Sequence, residues 1–293
     1  MNQEQLKQMR EGKGFIAALD QSGGSTPKAL ANYGVGSEAY HNDEEMFEEV
    51  HRMRTRIMTS PSFNHKHILA AILFENTMDR EVEGKKTADY LWEEKRIVPF
   101  LKCDKGMVEE ADGVRLMKDM PDFDKFLDKA VANHIFGTKM RSVILAANRE
   151  GIRKVVDQQF ALAKRICEHG LVPIIEPEVD IHIPDKAEAE AMLMEKFRNH
   201  LPQLTKPVMF KLTIPSQPDL YRELLDYPQT VRLVALSGGY SREEANTLLA
   251  QNHGMIASFS RAFTEGLRVD QTPAEFDAMM AASAEAIAAA SAK

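Results

Sequence analysis

The sequence predicts an α/β fold, a single (β/α)8 TIM barrel over residues 1–293. Three observations carry that expectation. The chain has 293 residues, 44% of them hydrophobic and 28% charged, with no shift in composition that would mark a linker, so it holds either two ordinary domains or one large barrel. Eight short apolar runs alternate with longer segments of helical period, the pattern of a parallel sheet with crossover helices. Ionisable residues recur at the C-terminal ends of the runs, where barrel enzymes build their sites. An open doubly wound sheet would satisfy the alternation alone; the number of strands and the placement of polar residues favour the closed barrel.

In chain order, an N-terminal helix precedes the first run, Gly14 to Asp20. The other runs are His67 to Phe74, Val98 to Cys103, Phe136 to Ile144, Leu171 to Val179, Pro207 to Ile214, Val231 to Leu236 and Met255 to Phe259. Between the first two, Met46, Val50, Met53 and Ile57 recur on one face of a helix. Ile152, Val155, Val156, Phe160 and Ala163 do the same before the stop at Gly170. Ser241 with Glu244, and Thr272-Pro273 with Glu275, have the spacing of capping boxes that open helices. Ala278 to Lys293 is alanine-rich and reads as a helix that faces solvent or docks loosely.

Charge and cysteine usage exclude several classes of partner. Thirty-seven bases against 44 acids give a net charge of −7, which repels phosphate backbones and anionic headgroups. Nucleic acid and membrane are therefore not expected, and nothing in the sequence implies a cofactor. Cys103 and Cys167 stand among apolar neighbours and read as reduced core thiols of a cytoplasmic protein. The charged N-terminus and the lack of any 18-residue apolar stretch predict neither a signal peptide nor a membrane span. Oligomeric state is not legible.

Side chains alternate between the two faces of a strand, so Val208, Phe210 and Leu212 share one side and Lys211 the other. In a barrel the apolar side meets the outer helices and the lysine points inward, at a cost in desolvation unless a site uses it. Applied to each run, the same count brings Asp20, Glu75, Lys102, Lys139 with Arg141, Glu176 with Glu178, and Arg261 to one end of the barrel. Cations slightly outnumber acids there, which favours an anionic ligand. Ser237-Gly238-Gly239 ahead of a capped helix offers free backbone N–H groups to a phosphate, and Asp20-Gln21-Ser22-Gly23-Gly24-Ser25 forms a second small-residue loop.

Gly12-Lys13-Gly14 leading into Ala17-Ala18-Leu19-Asp20, Val172-Pro-Ile-Ile-Glu-Pro-Glu178, Leu236-Ser-Gly-Gly239 and Ser258-Phe-Ser-Arg-Ala262 resemble the class I fructose-1,6-bisphosphate aldolases of bacterial type. The resemblance implies cleavage of fructose 1,6-bisphosphate through a lysine Schiff base, in glycolysis and gluconeogenesis. It implies Lys211 as the imine-forming lysine, Glu176 as acid/base, Glu178 beside the lysine, Lys139 and Arg141 as a cationic pair, and Asp20 as the aspartate of strand one. Ser22, Ser25 and Lys102 match one phosphate site; Ser237, Gly238, Ser258 and Arg261 match the other. One feature of the animal enzymes, a tyrosine in the tail, has no counterpart, since no residue after Tyr240 is a tyrosine.

This chemistry needs these groups. Breaking a carbon–carbon bond beside a carbonyl requires an electron sink, and a protonated imine is a better one than a ketone. The attacking amine must be neutral, which burial and a neighbouring cation favour; Lys139 is the candidate cation. Dehydrating the carbinolamine requires a proton donor, Glu176, and the C4 hydroxyl requires a base, Asp20, with Glu176 able to share that step. A metal-dependent route would need several ligands around an open position; His65 and His67 offer one pair at the wrong end of strand two. A Schiff-base aldolase of tagatose 1,6-bisphosphate and a catalytically silent sugar-phosphate-binding barrel remain as alternatives.

Overall fold

A computed structural model describes residues 1–293. Eight parallel strands form its centre: β1 (Phe15–Leu19), β2 (Ile68–Leu73), β3 (Val98–Lys102), β4 (Gly137–Ile144), β5 (Val172–Val179), β6 (Val208–Thr213), β7 (Thr230–Leu236) and β8 (Met255–Phe259). Each pairs with the next, and β8 closes on β1 through Ile16 opposite Ser258. The strands match the predicted runs to within one residue at each end; β7 begins a residue before its run, at Thr230.

The runs are apolar on both faces because both faces are covered. Ile16 and Ala18 join Ile72, Phe100, Ile174, Met209 and Val234 inside the barrel. Phe15, Ala17 and Leu19 face outward and pack with the helices. Close packing explains the glycine that opens β4: a Cβ on Gly137 would stand 2.3 Å from the carbonyl oxygen of Val172. The N-terminal helix Gln3–Glu11 closes the lower mouth with Met9, and Arg232 of β7 donates to the Met9 and Gly12 carbonyls at 2.8 Å each.

The helices Asp43–Thr59 and Arg149–Glu168 bury the predicted apolar faces. The capping box at Thr272 and Glu275 is complete, whereas at Ser241 only its first half forms, Ser241 Oγ accepting from the Glu244 amide. Two readings change. Between β6 and β7 the connection is a five-residue 3-10 turn, Arg222–Asp226, in a stretch broken by Pro215, Pro218 and Pro228. The alanine-rich tail is not loosely docked. Helix Pro273–Ala290 buries Phe276, Met280, Ala284 and Ile287 against the barrel, and Asp277 accepts from Ser60 Oγ at 2.6 Å and the Ser62 amide at 2.8 Å. Small side chains let this helix approach closely, so its inner face is marked by size more than by hydropathy. No helix of the chain is long and apolar enough to cross a membrane.

Candidate active site

The C-terminal ends of the strands surround a cavity of about 360 Å³ lined by 22 residues, only three of them hydrophobic. Such a lining suits a charged, heavily oxygenated ligand. All but one of the candidate residues from the sequence meet there: Asp20, Ser22 and Ser25 from the end of β1, Lys102 of β3, Lys139 and Arg141 of β4, Glu176 and Glu178 of β5, Lys211 of β6, Ser237 and Gly238 after β7, and Ser258 and Arg261 at β8. Glu75 does not join them. It opens a short helix, Glu75–Met78, and pairs with Lys105 at 2.9 Å and Lys129 at 3.0 Å outside the cavity.

Strand register sets the centre. Ile174 of β5 lies opposite Met209 of β6, so two residues further Glu176 and Lys211 stand level on the inner face. Lys211 Nζ is 3.3 Å from Glu176 Oε1. Lys139 Nζ stands between two carboxylates, 2.6 Å from Asp20 Oδ2 and 3.1 Å from Glu176 Oε2. All four side chains are at least nine-tenths buried. Beside them Arg141 Nε donates to Glu178 Oε2 at 2.5 Å. Lys139, the candidate cation of the sequence reading, is the shared counter-ion of Asp20 and Glu176.

The electrostatics follow from this order. Burial pushes the Asp20 carboxyl up, but the ammonium groups of Lys139, Lys211 and Lys102 outweigh it and hold the group at about 2. Burial opposes the charge on Lys139, and Asp20, Glu176 and Asp104 overcome that and raise its pKa. Asp20 and Lys139 therefore stay ionised although both are buried.

Asp104 escaped the sequence reading. It accepts from Lys102 Nζ at 2.6 Å through Oδ1 and from the Arg141 amide at 3.1 Å through Oδ2, tying β3 to β4 and aiming Lys102 inward. Its signal was the i, i+2 spacing from Lys102, just past the strand end. Lys28 and Asn32 were also missed; they reach the cavity from the first helix after the small-residue loop. Six cations and four acids now line the site. The acids are all paired to other cations, leaving Lys28 and Arg261 at the rim without a carboxylate within 4.0 Å. Gly238, at φ +62°, makes the turn beside Arg261 that only a residue without a Cβ adopts easily. His65 is exposed and His67 half-buried at the opposite, N-terminal end of the barrel beside Gly12 and Gly14.

A buried lysine within reach of a glutamate, ringed by cations at the mouth of a barrel, is an arrangement for imine chemistry on a phosphorylated carbonyl compound. The family model "Fructose-bisphosphate aldolase class-I" matches residues 2–196. The chain belongs to the class I fructose-bisphosphate aldolase family. The fructose-bisphosphate aldolase class 1 of Porphyromonas gingivalis is 58% identical over 293 residues, the whole of both chains. The protein of the same name from Synechocystis is 59% identical over 288 residues, 98% of this chain and 96% of its own. Among solved structures, the fructose-bisphosphate aldolase of Plasmodium falciparum, in complex with TRAP and a small-molecule inhibitor, superposes with a TM-score of 0.74 at 20% identity, covering 98% of this chain and 93% of its own. A Schiff-base-forming fructose-1,6-bisphosphate aldolase gives 0.53 at 11% identity over 97% and 98%. These distant likenesses establish the barrel fold, while the family model and the two 58–59% identical relatives establish the family.

Proposed function

We propose that this chain is a class I fructose-bisphosphate aldolase that cleaves fructose 1,6-bisphosphate reversibly into dihydroxyacetone phosphate and glyceraldehyde 3-phosphate. The observation that carries the reading is the buried Lys211 amine 3.3 Å from the Glu176 carboxylate, in a cavity where cations outnumber acids. Glu176 is the base nearest the ammonium and takes its proton. The free amine adds to the C2 carbonyl, and Glu176 returns a proton to the carbinolamine hydroxyl, which leaves as water. An iminium remains.

The C4 hydroxyl then gives its proton to Asp20, the C3–C4 bond breaks, and its electron pair passes to the iminium nitrogen to form an enamine while the aldehyde departs. A carboxylate held at about 2 by Lys139 is a weak base. The C4 hydroxyl has to displace part of that ion pair before Asp20 can act, and Glu176, which also faces Lys139, shares the step. Protonation at C3 and hydrolysis release the second product and restore Lys211. Lys102 with Ser22 and Ser25 receives one phosphate; Ser237, Gly238, Ser258 and Arg261 receive the other, the Gly238 turn and Arg261 supplying N–H donors.

Only an imine can be reduced to a stable amine. Sodium borohydride added with dihydroxyacetone phosphate should inactivate the enzyme and leave one triose phosphate on Lys211, to be read by peptide mass spectrometry. A label on another lysine, or none, removes the mechanism.

A further inference from the structure

One buried charge has no part in the chemistry above. Arg54 sits on the apolar face of the helix Asp43–Thr59, between Val50 and Ile57, and is 1% exposed. It has no carboxylate in ion-pair range. Its guanidinium donates from Nη1 to Thr77 Oγ1 at 2.7 Å and from Nη2 to the Gln21 carbonyl at 2.6 Å, while its Nε has no partner. Burying a cation among neutral acceptors is costly in general, and burial pulls this one down to about 10, with only the Asp20 charge opposing. A group so expensive to hide, on a helix face that an apolar residue would fill, calls for a use.

The use lies in what it grips. Gln21 directly follows Asp20, and its side chain donates across the barrel mouth to Ser260 Oγ. The peptide after Asp20 is thus held at its carbonyl by Arg54 and through its side chain by the loop after β8. Beyond it Gly23 and Gly24 stand in open space. Thr77, the other acceptor, is itself fixed, its carbonyl accepting from Thr87 Oγ1 at 2.7 Å. The planar fork of a guanidinium spans acceptors on the loops after β1 and β2 at once, which a lysine cannot do.

We propose that Arg54 is a positioning residue for the cleavage step: by holding the Gln21 carbonyl it fixes the turn that carries Asp20 to the C4 hydroxyl of the substrate. The proposal rests on the roles given to Lys211 and Asp20 above. It separates two partial reactions, since imine formation with dihydroxyacetone phosphate needs Lys211 and Glu176, whereas cleavage of the bisphosphate also needs Asp20 in place.

The test compares Arg54→Met, Arg54→Lys and Thr77→Val with wild type in two assays: kcat for fructose 1,6-bisphosphate cleavage, and borohydride trapping of dihydroxyacetone phosphate per folded protein. A misplacement of about 1 Å costs roughly 10²-fold in rate. Arg54→Met should therefore lose about 10²-fold in kcat and Arg54→Lys about tenfold, with trapping within about twofold of wild type in each. Thr77→Val keeps the buried shape, so it stays folded even where Arg54→Met does not, and it should show a smaller loss of the same kind. Trapping and cleavage falling in parallel, or kcat unchanged in the variants that fold, would reduce Arg54 to a packing residue and overturn the proposal. Wild-type protein left unlabelled at Lys211 is a different failure, visible before any substitution; it overturns the imine mechanism and the positioning role with it.

Discussion

At the residue scale, the site is governed by how carboxylates and cations are shared. Asp20, ordinarily near 3.8, is held at about 2 by its cations. A carboxyl whose folded pKa is depressed stabilises the folded state above its unfolded value and loses that contribution as pH falls through the folded one. The window is therefore about pH 4 down to pH 2. Asp20→Asn has no such carboxylate, so its unfolding free energy should drop less than that of wild type between pH 7 and pH 2, by on the order of 2 kcal/mol. Urea melts at the two pH values measure this. Equal losses would mean that the Asp20–Lys139 pair is not what keeps Asp20 ionised. Asp20, Lys139, Glu176 and Lys211 were legible as candidates because strand alternation places each on an inner face. Their pairing was not, because nothing in a sequence says that Lys139 points at Asp20 sooner than at empty space.

At the scale of elements, the strands were legible and the last helix was misjudged. Apolar runs of five to nine residues bounded by Gly, Pro and charge leave a parallel strand as the economical reading. The tail lacks large side chains, so its burial is hidden from a hydropathy pattern. The prediction is that Ile287→Ala costs about 2–5 kcal/mol, the range for a buried isoleucine cut back to alanine, because Ile287 is fully buried. Chemical denaturation reads this directly. A loss below about 0.5 kcal/mol, the usual scale of surface substitutions, would restore the loosely docked helix of the sequence reading.

At the scale of the whole molecule, closure of the barrel is what turns scattered residues into a site. Strand ends separated by up to 241 residues, Asp20 and Arg261 among them, face one cavity. The reaction proposed for that cavity uses an iminium on Lys211 as its electron sink and leaves a Lewis acid without a task. Exhaustive dialysis against EDTA should therefore leave turnover at its full rate. Activity lost on chelation and recovered with zinc would replace the imine by a metal-bound carbonyl and overturn the proposed function.

The sequence by itself determined the kind of fold, the inner faces of the strands and the family, because side-chain period and motif residues are local quantities. Tertiary structure alone decided that Glu75 belongs outside the cavity, that Asp104 and Lys28 belong in it, and that Lys139 serves two carboxylates. It alone showed Arg54, buried in mid-helix, donating to the Gln21 carbonyl just after Asp20. Each of these depends on a distance between side chains far apart in the chain, and such distances exist only once the eight strands have closed and fixed which loops meet.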